Sequence, residues 1–158
     1  MSARFENLHA SAVQLAGQGV IIFGPSGSGK SSLALELLRQ VLRDGQEALL
    51  VSDDRVDVST RQDHLAASPP ALLAGLIEVR GSGIHPIGHV SLARLHLAVE
   101  LVEESRAQRM TPAEPRAVAH GMALPQLVLP RNQTEASVRA ILSHLGLCFP
   151  VLCKANSA

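Results

Sequence analysis

Gly24-Pro25-Ser26-Gly27-Ser28-Gly29-Lys30-Ser31 spells a complete G-x-x-x-x-G-K-[ST] phosphate loop. Its glycines let successive backbone N–H groups turn inward around phosphate oxygens, and a following helix aims the positive end of its dipole at them. Lys30 is the residue expected to reach the β- and γ-phosphates, and Ser31 the one whose hydroxyl meets Mg²⁺. Residues Gly24, Pro25, Ser26, Gly27, Ser28, Gly29, Lys30, Ser31 and Ser32 therefore form the predicted nucleotide site.

Such a loop has meaning only between a strand and a helix, and both flanks can be read. Gly19-Val20-Ile21-Ile22-Phe23 is an apolar, largely β-branched run, as expected of a parallel strand buried on both faces. Downstream, Leu33, Leu35, Leu37, Leu38, Val41 and Leu42 fall mostly on one helical stripe that stops at Asp44-Gly45. Upstream, His9 to Leu15 alternates, and Gly17-Gln18-Gly19 turns it back into the strand, which predicts a hairpin.

Farther out, Ala48 to Val51 reads as an apolar strand stopping at Ser52-Asp53-Asp54, with Val56 and Val58 either continuing it or opening a hairpin. Ser59 to Pro70 is polar and predicts a surface loop, Pro70 to Gly75 a short helical turn, and Leu76 to Arg80 another strand. Leu95, Leu97, Val99 and Leu101 alternate with Arg94, His96, Ala98 and Glu100, the signature of a half-buried strand, with helix as the competing assignment. Four prolines predict that Glu103 to Pro130 is mostly loop, with a short strand at Gln126 to Leu129. Thr134 is placed to cap a last helix that turns Val138, Ile141, Leu142 and Leu145 inward and ends at Gly146.

There are no internal repeats and no linker, so residues 1–158 read as one α/β domain, a phosphate-loop mixed sheet with flanking helices. An apolar content of 46% supports a packed core, but with 2% aromatics that core must be built from Leu, Val, Ile and Ala. No aromatic platform for nucleobases is available. Fourteen basic and fourteen acidic residues cancel, which argues against nucleic acid or an anionic membrane as partner. No signal core and no run of transmembrane length is present, so a cytoplasmic protein is expected. Cys148 and Cys153 are read as reduced thiols, Cys148 packed.

A phosphate cradle alone transfers nothing. The reaction also needs oxygen ligands for a metal, a group that orients or deprotonates the nucleophile, and positive charge for the moving phosphoryl. In open α/β sheets these come from the carboxyl ends of neighbouring strands, where Asp53, Asp54 and Glu78 stand. Arg106, Arg109 and Arg116 lie in the proline-rich connection, from which an arginine could reach the γ-phosphate. By itself His9 reads as a surface histidine, and His64, His85, His89, His96, His120 and His144 share no metal-ligand spacing.

Taken in order, these residues resemble the C-terminal catalytic domain of bacterial HPr kinase/phosphorylase, a fold related to phosphoenolpyruvate carboxykinase. His9 stands ten residues before Gly19, and the phosphate loop precedes a Leu-Ala-Leu-Glu-Leu helix. Val51-Ser52-Asp53-Asp54-Arg55-Val56 is similar to the family's Val-Ala-Asp-Asp-Arg-Val, and Leu76-Ile77-Glu78-Val79-Arg80-Gly81-Ser82-Gly83-Ile84 to its Leu-Leu-Glu-Ile-Arg-Gly-Leu-Gly-Ile. Arg109-Met110 and Leu124-Pro125-Gln126-Leu127 match further segments, and Arg131-Asn132 remain of its Pro-Gly-Arg-Asn. His85-Pro86-Ile87-Gly88-His89 replaces a glycine- and alanine-rich stretch, and the family's usual N-terminal domain is not represented, as in the short form of some proteobacteria.

The resemblance implies an ATP- and Mg²⁺-dependent serine kinase, with a companion phosphorylase activity, acting on an HPr-like phosphocarrier of a phosphotransferase regulatory system. A homo-oligomer is compatible with it. It further implies that Lys30 holds the phosphates, that Ser31 and Glu78 ligate Mg²⁺ with Asp54 as a further metal residue, and that Asp53 is the general base. His9 would assist Asp53, and Arg109 would stabilise transferred charge. Two other readings of the residues stay open: a phosphate-loop kinase of a small molecule, and a nucleotide-responsive regulator without turnover.

Overall fold

The computed structural model describes residues 4–109 and 113–147. The chain opens with β1 (Glu6–His9), β2 (Ser11–Leu15) and β3 (Gln18–Phe23), then α1 (Lys30–Arg43), β4 (Ala48–Ser52), β5 (Arg55–Arg61) and β6 (His64–Ser68). A single 3₁₀ turn at Ala71–Leu73 leads to β7 (Leu76–Val79), β8 (Gly83–Pro86) and the long β9 (Ala93–Val102). α2 (Glu104–Arg109), β10 (Arg116–Ala119), β11 (Met122–Leu124), β12 (Gln126–Pro130) and α3 (Thr134–His144) complete the described elements.

The main sheet runs β1-β5-β6-β9-β3-β2-β4, with β12 also on β9. β9 is parallel to β3 and β12, while the other pairs are antiparallel, so the sheet is mixed. Its connectivity forces a curl. β1 lies at one end of the order, yet it reaches β2, next to the other end, through Ala10 alone. In the same way β4 reaches β5 through only Asp53 and Asp54. A residue spans at most ~3.6 Å and strands sit ~4.8 Å apart, so these links could not cross a flat sheet. The sheet closes on itself, and the two links run side by side at the seam, where the Ala10 N–H donates to Asp54 O at 3.1 Å.

Period-two alternation then supplies two cores. Val13, Leu15, Val20, Ile22, Leu97 and Val99 face outward against Leu33, Leu37, Leu38 and Val41 of α1 and Val138, Ile141 and Leu142 of α3. Ala12, Ile21, Val51, Val56, Val58, Leu65, Ala67, Leu95 and Ala98 line the inside of the curl, where alanines fit the tighter space. Leu37 is fully buried between helix and sheet, and its truncation to Ala would cost roughly 2–5 kcal/mol. Both long helices end alike: Gly45 and Gly146 take positive φ, and the residues after them donate back to Val41 O and Leu142 O.

Several expectations change here. Ser59 to Pro70 is no loop but the end of β5 and all of β6; polar residues at the strand ends and the turn, with alanines of little strand propensity between, hide the pairing. Glu103 to Pro130 holds α2 and the β10–β11 hairpin besides β12. Strand, not helix, is the state of 93–102. Thr134 is the first residue of α3 instead of its cap; Gln133 precedes it and makes no capping side-chain bond. β7 pairs with β8 in a separate two-stranded sheet, so Glu78 approaches from a hairpin outside the main sheet. Cys148 and Cys153 lie outside the described residues.

Candidate active site at the sheet seam

α1 begins at Lys30 with neither a side-chain cap nor an acid in its first turn, so its leading N–H donors and dipole face the phosphate loop unopposed. Gly27 and Gly29 hold φ of 80° and 94°, which turns the loop backbone inward where a side chain would be strained. The Lys30 ammonium folds back over the loop and donates to Gly24 O at 2.8 Å and Pro25 O at 3.1 Å. Burial holds its pKa below the ordinary lysine value, against a weaker upward pull from Asp54 and Asp53. A buried ammonium satisfied only by carbonyls is a strong attractor for an anion.

The cleft over this loop is lined by Ser26, Gly27, Gly29, Lys30, Ser31, Ser32, Asp54, Glu78 and Arg80. Gly24 and Pro25 are tied to the cleft through the Lys30 ammonium that their carbonyls accept, and Ser28 is buried. Asn132, on the connection into α3, donates its N–H to Ser28 O at 3.2 Å and braces the loop from behind.

The two aspartates at the seam diverge. Asp53 is 6% exposed and points back into the protein. Its Oδ1 accepts from Ser31 Oγ at 2.6 Å and Ser11 Oγ at 2.8 Å, and its Oδ2 accepts the Glu78 N–H at 3.0 Å. One carboxylate thus joins helix α1, strand β2 and hairpin β7–β8. Asp54 instead faces the cleft, in a turn closed by the Arg55 N–H on Asp53 O, with φ at 68°. Its Oδ1 lies 3.1 Å from His9 Nε2.

Lys30, Ser31, Asp54 and Glu78 therefore meet at one cleft, whereas Asp53, expected there as the general base, is not among the described residues lining it because its oxygens are turned onto Ser31, Ser11 and the Glu78 N–H. The resemblance sets His9 beside Asp53, whereas its imidazole pairs with Asp54, because β1 enters the seam on the side of β5. Arg109 ends α2 exposed and is not among the described residues lining the cleft. Arg106 and Arg116 are drawn to Glu100, Arg116 also stacking on the Phe23 ring at 4.0 Å. The cleft cation that residue-level reasoning passed over is Arg80. Its signal was present, since the sequence reads Leu76 to Arg80 as one strand run, which sets Arg80 two residues after Glu78; the strand itself ends at Val79 and Arg80 opens the turn. Ser11 was also missed, and nothing local marks it.

Among the described residues no group of three or more His, Cys, Asp or Glu forms a metal cage. That suits Mg²⁺ on a nucleotide, which keeps several waters and takes one or two carboxylates plus phosphate oxygens. Ser31 and Glu78, both fixed through Asp53, are hard oxygen donors of that kind.

The chain matches the family model for the HPr Serine kinase C-terminal domain over residues 2–142. It is 44% identical over 80 residues, 50% of its length, to "HPr kinase/phosphorylase" of Limosilactobacillus reuteri (strain DSM 20016), and equally to that of Limosilactobacillus reuteri subsp. reuteri (strain JCM 1112). The matched stretch spans 23% of each of those curated relatives. In structure it is similar to the HPr(Ser) kinase/phosphatase from Coxiella burnetii, with a TM-score of 0.73 and 25% identity, covering 89% of this chain and 96% of that one. The curled mixed sheet with its flanking helices is shared with that protein. Among the described residues no helix is long and apolar enough to cross a membrane.

Proposed function

The chain belongs to the HPr Serine kinase C-terminal domain family, and on that premise we propose that it is a cytoplasmic, ATP- and Mg²⁺-dependent serine kinase. Its substrate is the reactive serine of an HPr-like phosphocarrier, with attack by inorganic phosphate on phosphoserine as the reverse, phosphorylase direction. The fold is read accordingly as a phosphate-loop domain of the phosphoenolpyruvate carboxykinase type. The observation that carries the proposal is the meeting of the Lys30 loop with Asp54 and Glu78 across one cleft.

The residues divide the work as follows. Lys30 and the N–H groups at the start of α1 bind the phosphates, and Arg80 adds the second positive charge, in place of Arg109. Ser31 and Glu78 would hold Mg²⁺, which would supply positive charge against the transferred phosphoryl. Asp53 serves as the anchor of those two ligands, its oxygens being engaged by three donors. Asp54, exposed toward the cleft, accepts the proton of the attacking serine hydroxyl, and His9 Nε2 at 3.1 Å orients that carboxylate. In the reverse direction the protonated Asp54 returns its proton to the departing serine oxygen.

The test is incubation with Mg-ATP and an HPr-like carrier, read by phosphoserine formation. Transfer that disappears in Asp54→Asn while ATP still binds is the expected result. A chain that binds ATP but leaves the carrier unmodified, and instead releases ADP with a metabolite, would move the assignment to a small-molecule kinase.

A further inference from the structure

Three consecutive residues each hold a different part of Asp54. The His9 imidazole meets its carboxylate at 3.1 Å, the Ala10 N–H donates to its carbonyl at 3.1 Å, and Ser11 Oγ accepts its N–H at 3.3 Å. These contacts suit a residue held at φ of 68°, a conformation that side-chain-bearing residues rarely adopt, aspartate and asparagine more readily than most. Ser11 differs from its two neighbours in that its hydroxyl faces both ways. While accepting from Asp54 N–H it donates to Asp53 Oδ1 at 2.8 Å, the same oxygen that takes the Ser31 hydroxyl. Ser11 is wholly buried, so losing either bond would leave a polar group out of contact with solvent. An unbroken series of hydrogen bonds thus runs from Ser31 on the phosphate loop through Asp53, Ser11 and Asp54 to His9.

We propose that Ser11 is a positioning residue for phosphoryl transfer, holding the Asp54 carboxylate in register with the phosphate loop. The inference rests on the kinase reading above, in which Asp54 takes the serine proton. Ser11 touches neither nucleotide nor carrier; it sets the distance and direction between the group that accepts the proton and the group that receives the phosphates. Its loss leaves Lys30, Glu78 and the loop backbone in place, so nucleotide binding survives while the transfer step suffers.

Ser11→Ala and Ser11→Thr separate this from plain core packing, Thr keeping the hydroxyl and suiting a strand. In Ser11→Ala, kcat for carrier phosphorylation is expected to fall by about 10- to 100-fold, the effect of a modest misplacement, with the Kd for Mg-ATP within about twofold of the parent. Ser11→Thr should recover most of kcat. Independently of turnover, hydrogen exchange at the Asp54 amide should accelerate in Ser11→Ala and stay slow in Ser11→Thr. The proposal is overturned if Ser11→Ala keeps the parent kcat, if its kcat and Mg-ATP affinity fall together, or if the Asp54 amide stays equally protected. Should the parent chain itself fail to phosphorylate a carrier, the kinase reading fails, and amide exchange alone still decides whether Ser11 holds Asp54.

Discussion

Asp53→Asn separates an anchoring carboxylate from a catalytic one. The aspartate accepts three hydrogen bonds, two at Oδ1 from Ser11 and Ser31 and one at Oδ2 from the Glu78 N–H, and is 6% exposed. An amide has the same shape but one acceptor oxygen. With that oxygen toward the serines, the NH₂ confronts the Glu78 N–H, donor against donor. With it toward Glu78, both hydroxyls must turn to accept, and Ser11 Oγ already accepts from Asp54. Either way at least one bond to a charged acceptor is lost, worth about 1.5–3 kcal/mol. At roughly 2–4 °C per kcal/mol for a chain of this size, about 2 kcal/mol lowers Tm by about 4–8 °C. Urea and thermal melts without nucleotide measure it. The companion variant, Asp54→Asn, alters a carboxylate whose side chain is 69% exposed. Its stability should stay within about 0.5 kcal/mol of the parent, while carrier phosphorylation drops by about 10²–10⁴-fold. If Asp53→Asn melts with or above the parent and Asp54→Asn is the one that unfolds early, the division of roles between the two aspartates is wrong.

Other outcomes follow from single groups. Because burial lowers the Lys30 pKa, its charge is lost at lower pH than an ordinary lysine's, so Mg-free ATP binding should weaken as pH rises toward 10.5; calorimetry giving constant affinity across that approach contradicts it. His96 accepts the Gly19 N–H at Nδ1, and burial lowers its pKa. The unfolded chain then binds a proton near pH ~6.5 before the folded one does, so stability falls as pH drops through ~6.5 toward the lowered folded value, and His96→Asn should flatten that slope in urea midpoints. A Cβ on Gly19 would stand 2.2 Å from Arg94 O across the β3–β9 pairing. Gly19→Ala should therefore cost about 3 kcal/mol or more, and an unaltered thermal melt would show that the strands can part there.

What was legible in the sequence was local. The β2–β3 hairpin, the phosphate loop and α1 follow one another within a few residues, and each carries its own period, turn or cap. Gly45 and Gly146 mark helix ends because only backbone conformation is at stake there. Val56 and Val58 do open a hairpin, one of the two readings offered, but its second strand, β6, escaped because Leu65-Ala66-Ala67 is buried by its neighbours more than it is marked by its own propensity. The β7 run was readable as a strand, but whether it joined the main sheet depends on pairing partners far along the chain.

Sequence by itself determined that a glycine-rich G-x-x-x-x-G-K-[ST] loop stands between a strand and a helix, and that Asp53, Asp54 and Glu78 stand at or near the ends of apolar strand runs. Only the tertiary structure decided which of the paired aspartates turns inward to hold Ser31 and which turns to the cleft with His9. The letters Asp-Asp fix only that two carboxylates stand at the bend between β4 and β5, where φ of 68° at Asp54 swings them apart. They do not say which side is which, because that is set where the curled sheet closes and brings His9, Ala10 and Ser11 against the end of β4.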